Sequence, residues 1–471
     1  MLFVEFRFLI FFAIVFALAW LLPKNGQRKT VLTVASYVFY AAWDWRFLAL
    51  IWFVTGVCYV VGMRVGESSP LSDGAKRVWI AVGVTVSLAV LGLFKYFNFF
   101  ADSFADLAHL MGLPAGHVTL NLVLPVGVSF YTFQAISYMV DVYRRDIRAD
   151  RSLMDVSFYI AFFPQLVAGP IVRASDFIPQ MESLRRWSDV DVKACAVLFL
   201  IGYIKKAGVS DNIAPYVDMM FASPGDFSAL SVIGGVLLYG VQIYCDFSGY
   251  SDMAIACAGL LGYKFPPNFD SPYLSPNIQV FWRRWHISLS SWLRDYLYIP
   301  LGGNRRGAMR RDINMMTTML LGGLWHGASF NFVIWGGLHG LALTIERTWK
   351  THVASRFPKM GFIGPVIGVA VTFYFVNFAW IFFRAADLSE ALKIARVYLT
   401  FQSEGAQTLP LPVWPLLAGL ASVHALANHM KWEEVVRGLK PVPLALALGA
   451  AGAIALAFVP TGYRPFVYFQ F

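Results

Sequence analysis

Long apolar stretches recur along most of the chain, with only short polar intervals between them. They fall at about residues 8–22, 31–42 with 45–62, 78–100, 120–140, 155–172, 194–204, 229–261, 313–327, 330–349, 362–383, 411–427 and 442–460. A transmembrane helix needs about 20 predominantly apolar residues, so most of these runs are near spanning length. The pattern predicts an all-α polytopic membrane protein with roughly 11 spans.

The composition supports the same class. Hydrophobic residues make up 58% of the 471 residues and charged residues 14%, and the mean hydropathy is +0.59. A soluble protein of this composition would expose large apolar patches. The first apolar run follows Glu5 and Arg7 and ends without a small-residue cleavage site, so we expect an uncleaved first span. We predict one integral-membrane domain over residues 1–471, with its motifs concentrated between about 120 and 350.

The net charge of +10 is concentrated in the intervals between apolar runs. Basic residues follow the first, third and fifth runs, whereas residues 101–119 contain no lysine or arginine. Because cytoplasmic loops are enriched in Lys and Arg, we expect the basic loops on the cytoplasmic side and the N-terminus outside. Topology accounts for the basic charge, and we predict no nucleic-acid partner. The cysteines lack zinc-site spacing and no His-Glu-x-x-His occurs, so we predict no metal site.

Two apolar segments contain helix breakers together with polar residues, Pro125–Gln134 and Phe163–Pro170. Irregular backbone at membrane depth is tolerated only where it is buried in protein or lines a wet cavity. Gln134 is therefore a candidate tunnel residue. A hydrogen bond between helices is an equally good interpretation of such a side chain.

Two carboxylates interrupt the apolar stretch 229–261. Asp246 and Asp252 lie six residues apart in Tyr-Cys-Asp-Phe-Ser-Gly-Tyr-Ser-Asp, with Ser248 between them. Residues six apart do not share a helical face, so we expect a break at Gly249 that turns both carboxylates toward one polar cluster. A structural network and direct substrate contact both remain open for this group.

The block Gly322-Gly-Leu-Trp-His-Gly-Ala328 places His326 and Trp325 inside an apolar segment. If the chain is helical from Arg311, His326 lies roughly 22 Å along the axis, at about 1.5 Å per residue. An ionisable side chain at membrane depth is a functional-site hypothesis by default, and the glycines allow a backbone or a substrate to approach closely. We predict a catalytic role for His326, against the alternative of a hydrogen bond between helices.

A second histidine, His286, lies in a tryptophan- and arginine-rich stretch from Phe281 to Pro300. The mixture predicts an amphipathic helix at the membrane interface, with Ser290 one turn beyond His286. A positive-inside loop explains the arginines but not the histidine. No Walker-type lysine follows Gly302-Gly303, which excludes a P-loop.

These blocks, with Tyr244–Ala254 and Pro125–Arg144, resemble the membrane-bound O-acyltransferase family, and within it the bacterial subunits that acetylate alginate and cellulose. The resemblance covers roughly residues 1–385; residues 385–471 carry no matching motif. It implies a ring of helices around a central funnel and tunnel. It also implies that His326 matches the essential histidine of the family and that His286 matches a second position occupied by His, Asn or Asp.

The resemblance further implies acetyl-CoA as donor substrate, with no permanently bound cofactor, and an exported polysaccharide as acceptor, reached directly or through a periplasmic acetyltransferase partner. The expected location is the bacterial inner membrane. CoA carries phosphates, so the arginines become candidates for donor binding: Arg283, Arg284, Arg305, Arg306, Arg310 and Arg311. Two alternatives remain, an acyltransferase that uses a carrier-protein donor and a non-enzymatic transporter or export component. No second copy of either motif block occurs, which disfavours the transporter.

Overall fold

The computed structural model describes residues 1–114, 116, 118–149, 152–356, 361, 363–430, 432–457 and 466–467. These residues form helices and connecting segments, and their one β-contact is an isolated bridge between Phe227 and Gln407. The predicted all-α class is confirmed. The α-helices are α1 (Phe6–Leu21), α2 (Asn25–Asp44), α3 (Leu48–Val65), α4 (Asp73–Leu91), α5 (Phe97–Leu110), α6 (Val128–Arg144), α7 (Leu153–Ala161), α8 (Phe163–Leu166), α9 (Ala174–Met181), α10 (Val192–Tyr203), α11 (Asp211–Ala222), α12 (Ala229–Leu260), α13 (Ile278–Arg284), α14 (Ile287–Leu293), α15 (Gly307–His326), α16 (Phe330–His352), α17 (Ile363–Arg384), α18 (Leu388–Thr400), α19 (Val413–His429), α20 (Trp432–Gly438) and α21 (Pro441–Ala457).

Four helical stretches among the described residues are long and apolar enough to cross a membrane: Asn25–Val65, Asp73–Leu110, Ala229–Leu260 and Ile363–Arg384. Shorter apolar helices cover Phe6–Leu21 and Pro441–Ala457. The chain is thus a multi-pass membrane protein. The total of roughly 11 spans and the orientation stay predictions.

The described residues form two compact units, one from 1–195 with 254–266 and the other from 196–253 with 267–471. That the whole chain acts as one domain stays a prediction. In the first unit, Phe8, Phe39 and Phe163 pack together, with the Phe39 and Phe163 ring centroids 5.5 Å apart. The Ser36 hydroxyl accepts a hydrogen bond from the Phe163 backbone amide at 3.1 Å. These contacts fix the start of α8.

Both segments with predicted helix breakers lie in this first unit, and both are largely buried. At Pro125 the irregular part is short, because α6 begins at Val128 and runs unbroken through Gln134. After α8 the chain is irregular for several residues, and the Tyr159 hydroxyl donates to the Val172 carbonyl at 3.0 Å. The second segment therefore contains the longer irregular stretch, after α8.

The second unit contains both predicted histidines. Helices α15 and α16 form an antiparallel hairpin that matches the predicted runs 313–327 and 330–349. Ser329 begins α16 by accepting the Asn331 amide at 3.2 Å, as an N-cap serine does. A side chain on Gly323 would collide with the Phe332 carbonyl oxygen of α16. The glycine therefore lets the two backbones approach, and this close packing sets the position of His326.

Candidate active site

His326 is the last residue of α15, and its side chain is buried. Its ring lies among three aromatic rings, with centroid distances of 5.0 Å to Trp325, 5.0 Å to Trp335 and 5.2 Å to Phe383. The helix is continuous between Arg311 and His326, as predicted. The helix end turns the chain sharply at Gly327, which is extended. The His326 ring is thus enclosed by aromatic side chains.

His286 is fully buried, with 0% of its surface exposed. The prediction that one amphipathic interfacial helix carries it is wrong: α13 ends at Arg284, α14 begins at Ile287, and His286 lies between them with φ +43°. A left-handed backbone is unfavourable for a side-chain-bearing residue, and this break rotates the ring inward. Its centroid is 4.5 Å from that of Phe247 in an edge-on contact.

Trp325 connects the two histidines. Its ring centroid is 6.3 Å from that of His286 and 5.0 Å from that of His326. Two histidines 40 residues apart in the sequence are therefore both brought against one indole. This juxtaposition is the central feature of the candidate site.

A polar contact orients His286. Its Nδ1 lies 3.2 Å from the Asn268 side-chain oxygen, which also accepts from the Ser288 amide at 3.1 Å and the Ser288 hydroxyl at 2.9 Å. The Asn268 carbonyl accepts from the Ile287 amide at 2.9 Å. Burial lowers the pKa of the His286 imidazole, because desolvation disfavours the charged ring. His286 is accordingly neutral.

A third buried histidine, His339 on α16, was not selected from the sequence. Its ring centroid is 4.8 Å from that of Trp335, which also contacts His326. The Trp282 indole N–H donates to His339 Nδ1 at 3.2 Å. The signal for it in the sequence is its position on an apolar helix that directly follows the His326 block.

The carboxylates of α12 are held by lysines. Helix α12 is continuous, so the predicted break at Gly249 is wrong. Gly249 instead packs against Gly202, and a side chain on either glycine would collide with the backbone of the other. Asp252 pairs with Lys205 at 2.7 Å, and fully buried Asp246 pairs with Lys206 at 2.5 Å.

Lys206 also binds Asp211 at 2.7 Å, and the Val467 amide donates to Asp246 at 2.7 Å. Both carboxylates of α12 therefore have cationic partners, and the geometry favours the structural network over substrate contact. The two lysines lie at the end of an apolar run, in a π-helical segment, Ile204–Ser210. The signal for these lysines in the sequence is a pair of adjacent cations directly after one apolar run, together with two acids inside another apolar run.

The remaining predicted residues have varied settings. Ser248 is buried on α12. The Ser290 hydroxyl donates to the Trp285 carbonyl at 3.2 Å, while its amide donates to the His286 carbonyl at 2.9 Å, the one-turn spacing predicted. Gln134 is buried in the first unit, and its side-chain amide has no hydrogen-bond partner among the residues that the structure describes.

The predicted donor-binding arginines lie largely at the surface of the second unit. Arg283, Arg305, Arg306 and Arg310 are exposed. Arg284 lies 3.8 Å from Asp270. Arg311 is partly buried and hydrogen-bonds Asp312 at 3.2 Å. Most of these arginines therefore lie at the surface, where an anion can reach them.

The arrangement can support proton transfer in a dry environment. Two histidines contact one indole, and the surrounding side chains leave both imidazoles buried. Histidine is the commonest general acid–base group in enzymes, and hydrogen bonds strengthen where the local dielectric is low. Group transfer to a hydroxyl is within the reach of such a site.

The family model for "MBOAT, membrane-bound O-acyltransferase family" matches residues 142–385. The "Probable alginate O-acetylase AlgI" of Pseudomonas putida is 39% identical over 98% of this chain and 99% of its own length. The protein of the same name from Pseudomonas aeruginosa is 42% identical over 84% of this chain and 74% of its own.

The "Peptidoglycan O-acetyltransferase" of Helicobacter pylori is 36% identical over 78% of this chain and 73% of its own length. The family match spans the histidine blocks and the lysine–carboxylate pairs of the second unit. The chain therefore belongs to the membrane-bound O-acyltransferase family and is an O-acyltransferase.

Proposed function

We propose that this enzyme transfers acetyl groups from cytoplasmic acetyl-CoA to an exported polysaccharide such as alginate or cellulose, at the bacterial inner membrane. The similarity to proteins named for alginate and peptidoglycan O-acetylation supports an acetyl group and a glycan acceptor. The observation that carries the proposal is the pair of buried histidines whose rings both contact Trp325. A periplasmic acetyltransferase partner is an alternative immediate acceptor.

The proposed step is attack of an acceptor hydroxyl oxygen on the thioester carbonyl. His326 takes the hydroxyl proton as the new C–O bond forms, and the proton then passes to the departing thiolate sulfur. General acid–base catalysis of this kind typically contributes about 10²–10⁴-fold. The exposed arginines Arg305 and Arg306 attract the donor's phosphates.

Acetyl crosses the membrane in this proposal, and CoA stays on the donor side. A charged nucleotide cannot enter hydrocarbon at reasonable cost, whereas an acetyl group needs only a narrow tunnel. The acceptor and the donor therefore reach His326 from opposite faces.

Sealed proteoliposomes of known orientation test this function. In vesicles whose arginine-bearing face points outward, acetyl-CoA that carries a labelled acetyl group is added outside and polysaccharide is enclosed inside. The polysaccharide should become labelled, and free CoA should be recovered outside. His326→Ala should insert normally and lose at least about two orders of magnitude in rate. Label that requires donor and acceptor in one compartment would contradict the crossing. Label obtained only from an acyl-carrier protein, and not from free CoA, would replace the proposed donor.

A further inference from the structure

The hydrogen bonds around Asn268 fix which nitrogen of His286 carries the proton. A backbone N–H can only donate, so the Asn268 atom that accepts from the Ser288 amide at 3.1 Å is its oxygen. The same oxygen lies 3.2 Å from His286 Nδ1. Two lone pairs would face each other if Nδ1 were unprotonated. His286 Nδ1 therefore carries the hydrogen.

The Ser288 hydroxyl does not change this assignment. It lies 3.5 Å from His286 Nδ1 but only 2.9 Å from the Asn268 oxygen, so its proton goes to Asn268. On the other side, the Asn268 amide nitrogen donates to the Ser251 hydroxyl at 3.2 Å. The asparagine is thus held in one orientation from both ends.

A neutral imidazole has one N–H, so the other nitrogen must be an acceptor. His286 Nε2 is buried and has no hydrogen-bond partner among the residues that the structure describes. It therefore offers a lone pair, and not a proton, to any group that enters beside Trp325.

We propose that Asn268 is a positioning residue that holds His286 as the Nδ1–H tautomer, so that Nε2 accepts a hydrogen bond from a substrate N–H or O–H group during acyl transfer. The two possible sources are an amide of the donor's pantetheine arm and an acceptor hydroxyl other than the attacking one, whose proton goes to His326. This role deepens the proposed function and rests on it. A hydrogen-bond donor to the oxyanion must then come from elsewhere in the site.

His339 provides an internal reference with the opposite tautomer. Its Nδ1 accepts from the Trp282 indole N–H, which can only donate, so its proton lies on Nε2. His286 and His339 therefore have opposite predicted spectra in one sample.

Long-range ¹H–¹⁵N spectra of the full chain, labelled at histidine in lipid nanodiscs, test the assignment without substrate. His286→Gln and His339→Gln identify the two signals. We expect the Nδ1–H pattern for His286 and the Nε2–H pattern for His339. Asn268→Leu should lose the fixed His286 pattern, while Asn268→Asp, which keeps an accepting oxygen, should retain it. A proton on Nε2 of His286 in the wild type would overturn the proposal.

Kinetics separate positioning from packing. Asn268→Leu should lower kcat/KM for acetyl transfer by roughly 10- to 100-fold, less than full loss of general acid–base catalysis because a free ring still visits the useful tautomer. Asn268→Asp should recover most of the activity. A rise in the donor KM would identify a pantetheine amide as the hydrogen-bond donor. A fall in kcat at unchanged donor KM would identify an acceptor hydroxyl. Full activity in a folded Asn268→Leu protein would refute the role.

Asn377→Leu is the matched control, because Asn377 is an equally buried asparagine of the same unit whose amide donates to the Phe373 carbonyl at 2.9 Å. It should keep wild-type turnover. If Asn268→Leu does not accumulate, the wild-type spectrum and Asn268→Asp still decide. A wild-type protein without acetyl transfer would defeat the proposed function, yet the tautomer would remain measurable.

Discussion

Replacing Lys206 with methionine should destabilise the second unit far more than replacing its neighbour Lys205. Lys206 is 3% exposed at its side chain and balances two carboxylates, Asp246 at 0% and Asp211 at 9%. Removing one partner of a buried ion pair typically costs about 3–5 kcal/mol, because an uncompensated charge stays behind. Lys206→Met leaves two such charges, so we place the loss at the upper end of that range.

Lys205 provides the matched comparison. It lies next in the sequence and pairs with a single carboxylate, Asp252, but the two side chains are 27% and 18% exposed. Partly solvated pairs contribute roughly 1 kcal/mol or less. Lys205→Met should therefore cost a small fraction of the Lys206→Met loss, although both changes remove one lysine from one π-helical segment.

Asp246→Asn completes the series. The amide is isosteric and uncharged, and Lys206 keeps Asp211 as its partner, so we expect a loss of only about 1 kcal/mol, that of a typical hydrogen bond. The double variant with Lys206→Met should recover part of the lysine's loss, since it removes one stranded charge.

The measurement is the free energy of unfolding in bicelles, with the midpoint of thermal inactivation as a second readout. Expression and insertion are matched by quantifying the protein in the membrane fraction. The order of cost should be Lys206→Met first, then Asp246→Asn and Lys205→Met. Equal losses for the two lysine variants would refute the burial argument.

Two further predictions concern the arginine surface and the α15–α16 hairpin. Charge reversal at Arg305 and Arg306, which are exposed, should raise the donor KM. Added salt should weaken donor binding by the wild type, because exposed charges are screened over about 8–10 Å at ionic strengths of about 0.1–0.15 M. An unchanged KM with altered insertion would favour a purely topological role. Gly323→Val should destabilise the hairpin, because the valine side chain has no space beside the Phe332 carbonyl. Gly337→Val, on the same hairpin, should be tolerated, because the nearest contact there is 3.4 Å. Equal melting temperatures for the two variants would contradict this packing argument.

The helical class and the position of His326 could be predicted because both depend on local patterns. Apolar runs of spanning length give the helices, and a continuous helix from Arg311 sets the distance to His326. Glycine at position 323 indicated a close approach, which the structure resolves as contact between two backbones. These features need only the sequence within a few turns of each residue.

The environment of His286 could not be predicted because it depends on residues distant in the sequence. Its surrounding pattern is amphipathic, yet a left-handed residue breaks the helix there and buries the ring against Phe247. Asn268 lies 18 residues earlier, in a proline-containing stretch without periodicity. No local rule joins these positions.

The same limitation explains the error at Gly249. A glycine between two buried acids suggested a break, since glycine is unfavourable within a helix. Its reason for being there is Gly202, whose backbone occupies the space that a side chain would need. The helix stays continuous, and the two acids on its different faces find separate lysines, Lys205 and Lys206.

Burial and tautomer control are linked in this site. In water, a neutral histidine exchanges its proton freely, and a neighbouring amide has little influence on which nitrogen holds it. In a dry aromatic enclosure, one hydrogen bond is electrostatically stronger and faces no competition from solvent. The rings of Phe247, Phe269 and Trp325 around His286 are therefore what gives a single asparagine oxygen the power to decide whether the histidine donates or accepts. Phe247→Ala should open that enclosure to water, so that the His286 spectrum shows a mixture of tautomers even with Asn268 intact. An unchanged Nδ1–H pattern would show that the hydrogen bond to Asn268 controls the tautomer without the exclusion of water.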